Sequence, residues 1–534
     1  MAAGVGERSS SGPGRARCRV ARVQRRLLLH GGPIHTMDQA TPRVDQLDID
    51  GARIAADSPD GALPVDLQGC CVVPGFTDSH VHFPTWSLAQ SQVRLEGSSS
   101  LDGALERVVA GARDLPPGAW LRGVGWRDAD WTEPPTRWAL DRALPGVPVA
   151  LMARDYHSLW VSSAALDRAG NELDVDGGVV ERDESGEPSG ILRETAAWAF
   201  RDRHAAPGKD ELFEACQAGL RIAASRGVTA IHDKDGWLGS FEIFQRLHER
   251  DELTLRVWQS LPAERLPQLR EVGLRSGFGD ELLRAGYLKV FMDGTLGSAT
   301  AHLLDGSGVE ITSGEGLAEI VLAAAAAGWP VGVHAIGDAA NRHALDAFEA
   351  TASAWRPLGL RQRIEHAQLL HPDDVARFAK IGVTASVQFS HAPSDRDLVD
   401  RLWEGAQGAY AFRSLLDSGA VLANGSDAPV DELDPLQGLV SAVLRSLDDR
   451  SAWHPSQALT AHEALHAITV APAWLARDET RRGRLVPSLL ADLVVLDRDP
   501  LACPPEQLSE VRVLATMLGG RWTHVDPSAP VELS

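Results

Sequence analysis

Two histidines one residue apart, His80-Val81-His82, follow closely on an apolar run, Cys71-Val72-Val73-Pro74. Imidazoles are ordinary ligands of zinc-class cations. Side chains alternate along an extended segment, so both rings leave on one side and are able to share one ion. In a chain with 18 histidines such a pair is weak evidence by itself. Its weight comes from what recurs further on. His334 closes Val331-Gly332-Val333-His334, His366 closes Arg363-Ile364-Glu365-His366, and Asp427 closes Leu422-Ala423-Asn424-Gly425-Ser426-Asp427. Each is a ligand type placed where a short apolar strand stops. Asp78, two residues before His80, is near enough to orient a ligand imidazole from behind.

Lys289 sits inside Leu288-Lys289-Val290-Phe291, where a bare ammonium is costly to bury. The chain has four lysines (Lys209, Lys234, Lys289 and Lys380) among 52 basic residues, so arginine is its default cation. A lysine here suggests a task that arginine cannot perform. A buried amine of lowered pKa is partly neutral, and a neutral amine adds carbon dioxide to give a carbamate, a carboxylate on a long arm that bridges two metals. The plainer reading is a lysine that reaches out to the strand end or pairs with an acid. Together these residues describe one or two divalent ions, of a kind the set leaves open, that activate a water and polarise a carbonyl. Asp427 would take the proton from that water and hand it to a leaving amine, which is amide hydrolysis.

Such a set needs a scaffold that brings many strand ends to one face. Strand-like runs at 228–232, 253–258, 287–291, 330–334, 362–366, 383–388 and 421–426, with the strand before His80, make eight, and helical stretches alternate with them. One helix opens at Pro372-Asp373-Asp374 and stops near Gly382; another opens at Thr460-Ala461-His462-Glu463, a capping-box spacing. The expected fold is α/β, a (β/α)8 barrel over residues 76–483, whose active site lies at the C-terminal strand ends. About 145 residues separate the first two barrel strands, far more than one crossover requires. An inserted subdomain over roughly 116–196 is therefore expected, placed to wall or cover the substrate. Short strands at 27–75 and in the tail at 484–534 are expected to join as one small β-sandwich made by both chain ends. Residues 1–26, with seven arginines against Glu7, lack a secretory apolar core and are expected to be a disordered tail.

Composition narrows the partners. The formal net charge of -21 repels phosphate backbones and anionic lipid, so neither nucleic acid nor a membrane is expected. The longest apolar stretch, Ile320 to Trp329, is too short to span a bilayer. Five cysteines without CxxC spacing fit a reducing cytoplasm better than a disulfide framework. The expected partner is a small amide-type molecule. Oligomeric state leaves no mark.

The run Val73-Pro74-Gly75-Phe76-Thr77-Asp78-Ser79-His80-Val81-His82 resembles the first-strand signature of the amidohydrolase superfamily. Lys289-Val290-Phe291-Met292-Asp293-Gly294, His334-Ala335-Ile336-Gly337-Asp338, Ile364-Glu365-His366-Ala367 and Gly425-Ser426-Asp427-Ala428-Pro429 resemble its branch of N-substituted formamide deformylases and related metal-dependent hydrolases. The likeness runs from about residue 27 to 520. It implies the (β/α)8 barrel, a β-sandwich from both termini, one or two divalent metal ions with zinc first among them, and His80, His82, Lys289 (carboxylated), His334, His366 and Asp427 as ligands. Within the insertion, Gly123-Val124-Gly125-Trp126 and Asp155-Tyr156-His157-Ser158 also resemble that branch, which makes Trp126 and His157 candidate substrate contacts. Two departures stand out: Leu489-Leu490 replaces the usual Gly-Lys before Ala-Asp-Leu, and Ser162 replaces an Asn in the insertion.

Three other readings use the same residues. A mononuclear nucleobase deaminase would carry a glutamate three residues after the fifth-strand histidine, where this chain has Gly337. An ester or lactone hydrolase would need the same groups. A non-catalytic scaffold would be expected to have lost ligands, and this chain keeps the set.

Overall fold

The computed structural model describes residues 26–529 apart from 58–60, 128–130, 171–172, 238, 404 and 406–407. The expected tail lies outside the described residues, except Arg26, which opens the first strand. Eight parallel strands form the central sheet: β1 Phe76–Val81, β2 Val228–Asp233, β3 Arg256–Pro262, β4 Leu283–Phe291, β5 Val331–Ala335, β6 Arg363–His366, β7 Thr384–Val387 and β8 Leu422–Asn424. They neighbour one another in chain order. The free edges of β1 and β8 meet just past the strands, where Asp427 donates its N–H to His80 O at 2.7 Å and His82 donates to Ala428 O at 2.9 Å. Gly425 makes that closure possible, because a Cβ there would stand 2.3 Å from His80 N. This is a (β/α)8 barrel.

The helices between the strands start and stop for local reasons. Pro372–Ile381 has proline in its first turn, Asp373 and Asp374 at the positive dipole end, and Gly382 at φ 79° to end it. Ala461–Leu475 is capped reciprocally, Glu463 N–H to Thr460 Oγ1 and Thr460 N–H to Glu463 Oε2. Their apolar faces, with Leu317, Val321, Phe348, Phe378 and Leu465, pack on strand residues such as Val290, Val333 and Ile364 as one continuous core.

Two strands differ from their expected positions. The third runs from Arg256 to Pro262, not 253–258, because Leu253 and Leu255 are buried in the connection before it while polar Gln259 and Ser260 continue it. The fourth begins at Leu283, ahead of Tyr287, since Arg284 and Gly286 interrupt the apolar run without ending the pairing.

The insertion carries its own six-stranded sheet, in the order Gly178–Arg182, Pro188–Glu194, Ser158–Val161, Val149–Ala153, Leu121–Trp126, Val93–Arg94. It begins upstream of residue 116, and the helix Leu101–Gly111 packs into its core. Both chain ends build a third sheet. The tail strands Arg521–Val525, Val513–Leu518 and Leu493–Leu496 join Cys71–Pro74, which continues into Arg26–His35 and Arg43–Asp50. The expected sandwich is thus one continuous sheet curled over Leu29, Ile49, Val72, Leu493 and Met517. Arg256 of β3 grips Asp492 bidentately at 2.7 and 2.8 Å and ties this sheet to the barrel. No helix among the described residues is long and apolar enough to cross a membrane.

Candidate metal centre

Every residue singled out for ligation reaches the C-terminal end of the barrel. His80, His366 and Asp427 come closest, each offering a ligand atom within 4.8 Å of the other two. His80 Nε2 is 3.1 Å and His82 Nε2 is 3.6 Å from Asp427 Oδ1. His334 stands beside them, its ring centroid 4.6 Å from that of His366. Lys289 lies on the same face with its Nζ 4.8 Å above the Phe291 ring, and it makes no hydrogen bond among the described residues. The plain reading of Lys289 as a partner in an ion pair is therefore not what the geometry shows.

The backbone is bent to achieve this. His366, Ala367 and Asp427 have φ of 74°, 46° and 57°, a left-handed conformation uncommon outside glycine and found at sites where geometry outweighs local preference.

Each imidazole is held by one nitrogen. His80 Nδ1 meets Glu365 Oε2 at 2.8 Å, His82 Nδ1 meets Asp235 Oδ1 at 2.7 Å, His366 Nδ1 meets Gln388 Oε1 at 2.8 Å, and His334 Nε2 meets Gly294 O at 3.0 Å. Carboxylate, amide and carbonyl oxygens accept N–H there, so each ring keeps its other nitrogen as a lone-pair donor. Asp78 does not play the expected part. Its carboxylate accepts the N–H groups of His80 and Ser426, at 2.9 and 3.0 Å, and so pins two backbones instead of a ring. Burial pushes Asp78 up to about 6.

Beneath the rings lies a buried charge network that the sequence reading missed. Glu365 pairs with Lys234 Nζ at 2.9 Å and Arg363 Nε at 2.6 Å, and Arg363 also reaches His232 Nδ1 at 3.0 Å and Ser79 O at 2.6 Å. Burial opposes the Glu365 charge, but Arg363, Lys234 and His80 outweigh it and hold the carboxyl well below its usual range. Burial, then Lys234, lowers His80 to about 4. His334 and His366 are also held well below the usual imidazole range, chiefly by burial. All three rings are neutral near pH 7, the state that ligates metal. Burial also lowers Lys289 to about 8. A signal for one missed partner existed: Gln388 ends the seventh strand-like run just as His334 ends the fifth. Asp235 and Glu365 gave none, since their histidines lie 153 and 285 positions away.

These groups floor a cavity of about 420 Å³. The insertion contributes Trp126 and His157 to its wall. His157 Nδ1 meets Glu194 Oε2 at 2.7 Å; burial disfavours its charge, and Glu194 raises the pKa past that penalty. Trp126 donates its indole N–H to Leu151 O at 2.8 Å and packs against Trp131 and Trp160, so only its ring surface is left to the cavity. Trp198, Phe291 and the 44% exposed Trp237 supply an aromatic wall that the sequence reading did not single out.

Comparison with known proteins decides the family. The model of the amidohydrolase family matches residues 64–524. This chain belongs to the amidohydrolase family. The amidohydrolase is 33% identical over 530 residues to Protein LONG AFTER FAR-RED 3 of Arabidopsis thaliana, covering 93% of this chain and 91% of that one. It is 28% identical to an N-substituted formamide deformylase of Arthrobacter pascens, over 93% of this chain and 98% of the other. Among solved structures, an uncharacterised metal-dependent hydrolase from Pyrococcus horikoshii matches at 26% identity and TM-score 0.75, over 90% of this amidohydrolase and 99% of that chain. The donor set fits a divalent ion on its own chemistry: three neutral, tethered imidazoles, His80, His334 and His366, stand around a carboxylate, with His82 beside them raised by Asp235 against the opposing effect of burial.

Proposed function

We propose that this amidohydrolase cleaves a carbon–nitrogen bond of a small molecule, an amide or N-formyl amide. The observation that carries the reading is the meeting of His80, His366 and Asp427 at the floor of one cavity. The name of the Arthrobacter relative supports the bond type. His80, His82, His334, His366, Asp427 and a carboxylated Lys289 are the side chains that would hold one or two divalent ions, with zinc the first candidate. When bound, such an ion acidifies water and polarises a carbonyl.

The chain's own residues do the rest. Asp427 Oδ1 faces His80 and His82, while Oδ2 accepts no hydrogen bond among the described residues and lies 3.9 Å from His366 Nδ1. Oδ2 is the atom we assign to receive the proton of the attacking water and release it to the leaving nitrogen. His157, its pKa raised by Glu194 against the effect of burial, offers Nε2 to the substrate's polar end. Trp198, Phe291 and Trp237 would take its apolar substituent and displace water there.

The deaminase alternative lacks its acid: Gly337 stands at that position and donates its N–H to Asp293 Oδ2 at 2.8 Å. The test is metal-loaded protein assayed on N-formyl amides, acyl amino acids, lactones and aminated nucleobases. Amine release from an amide is expected. Turnover of lactones or nucleobases alone, or protein that carries no stoichiometric metal, would overturn the proposal.

A further inference from the structure

The loop after β4, residues 292–313, walls the cavity with Thr295, Leu296 and Gly297 and then folds back. Glu310 forms an antiparallel bridge with Asp293. His302 donates its peptide N–H to Asp293 Oδ2 at 2.9 Å. Leu304 donates to Asp338 Oδ1 at 2.9 Å, at the start of the helix Asp338–Ala350 that follows β5. This return brings His302 and Glu310 against His343 of that helix. One ligand atom from each of the three lies within 4.8 Å of the other two. His343 Nδ1 is 3.1 Å from Glu310 Oε1, and the two imidazoles meet edge to face with centroids 5.6 Å apart.

A surface ion pair accounts for His343 and Glu310 but leaves His302 unexplained. His302 Nδ1 is buried and has no hydrogen-bond partner among the described residues. A buried ring nitrogen without a partner is a cost the fold normally avoids. Two imidazoles and one carboxylate are the donors that zinc-class ions prefer, and they suit magnesium or calcium poorly. Glu310 and His343 are partly exposed, so water can complete the coordination.

We propose that His302, Glu310 and His343 form a second divalent-metal site, apart from the catalytic cluster, which takes a zinc-class transition metal and fastens the cavity-wall loop to the helix behind His334. Asp293 is the shared tether. Its carboxylate accepts N–H groups from Ile336, Gly337 and His302, and it lies 3.6 Å from His334 Nε2. A cation that locks the far end of the loop therefore steadies Thr295, Leu296 and Gly297 over the cavity and the backbone just past His334. This site stands on its own geometry and does not depend on which bond the enzyme cleaves.

The test uses untagged full-length protein stripped with a chelator and dialysed against Zn²⁺ at micromolar concentration, with bound zinc counted per chain. His302→Ala and His343→Gln should each bind one equivalent fewer than the parent and keep the zinc held at the catalytic cluster. His80→Ala with Asp427→Ala should lose catalytic zinc and keep this equivalent. Zinc held at about ten times its Kd should also slow proteolytic cutting within 292–313 roughly tenfold in the parent and not in His343→Gln, as expected of an ion that binds only the fastened loop. His343→Gln sits on a partly exposed helix face, and circular dichroism checks that it folds. Equal zinc counts in the parent and the two single variants, or an extra equivalent that appears only at millimolar zinc, would overturn the site.

Discussion

Replacing Asp235 with Asn keeps shape and volume and tests whether His82 works as a metal ligand. Asp235 is buried; Oδ1 accepts from His82 Nδ1 at 2.7 Å, and Oδ2 accepts from Thr85 N–H at 2.9 Å and from Thr85 Oγ1 at 2.6 Å. An amide has one oxygen for these jobs. If that oxygen serves Thr85, the NH₂ faces His82 Nδ1, which becomes an acceptor, and the ring proton moves to Nε2, the nitrogen that faces Asp427. If the oxygen serves His82, the NH₂ meets the Thr85 N–H head on, and a buried donor goes unpaired at about 1–3 kcal/mol. Either outcome taxes the metal-ready state. Partners of this kind are worth roughly 10–100-fold in metal affinity, about 1.4–2.7 kcal/mol. The assay is zinc competition against a chromophoric chelator at pH 7.5, parent against Asp235→Asn, with folding checked by circular dichroism. Zinc affinity within about twofold of the parent would refute the reasoning and remove His82 from the ligand set.

Four further outcomes are expected. Asp427→Asn should lower kcat by about 10²–10⁴ while protein-bound metal remains detectable; full activity would end the proton-shuttle assignment. Lys289→Ala should lower metal content and activity together, with partial rescue by short carboxylic acids plus metal, and unchanged metal content would indicate a mononuclear site without a carbamate. Lys289 titrates near 8, so its neutral form grows as pH rises through that value; metal loading in bicarbonate should be faster at pH 8.5 than at 6.5, and a flat profile would argue against carboxylation. Asp492→Ala strands the Arg256 guanidinium in a buried place and should cost about 3–5 kcal/mol, seen as a lower denaturant midpoint with little change in metal affinity.

The candidate site was legible because its proposed ligands announce themselves locally: His334, His366 and Asp427 each close a short strand, and strand ends converge in a barrel. The insertion and the terminal sheet were legible as extra strands, since the alternation of apolar residues survives in them. What could not be read was pairing at a distance. Glu365 looked like a strand residue beside His366, yet it serves His80, and Asp78 looked like the ring's support yet holds backbone. Trp198 and Trp237 lie in unrelated segments and become one wall only in three dimensions. The left-handed turns at His366 and Asp427 carry no glycine to mark them.

The sheet drawn from both chain ends has a consequence for biosynthesis. Cys71–Pro74 takes its antiparallel neighbour from Leu493–Leu496, which a ribosome makes roughly 420 residues later. At ordinary elongation rates that is a wait of about 20–80 s. Throughout it the nascent chain presents an unsatisfied apolar edge immediately upstream of the segment bearing His80. Yield of this enzyme in a cell should therefore respond to translation speed and chaperone supply more than its finished stability would suggest.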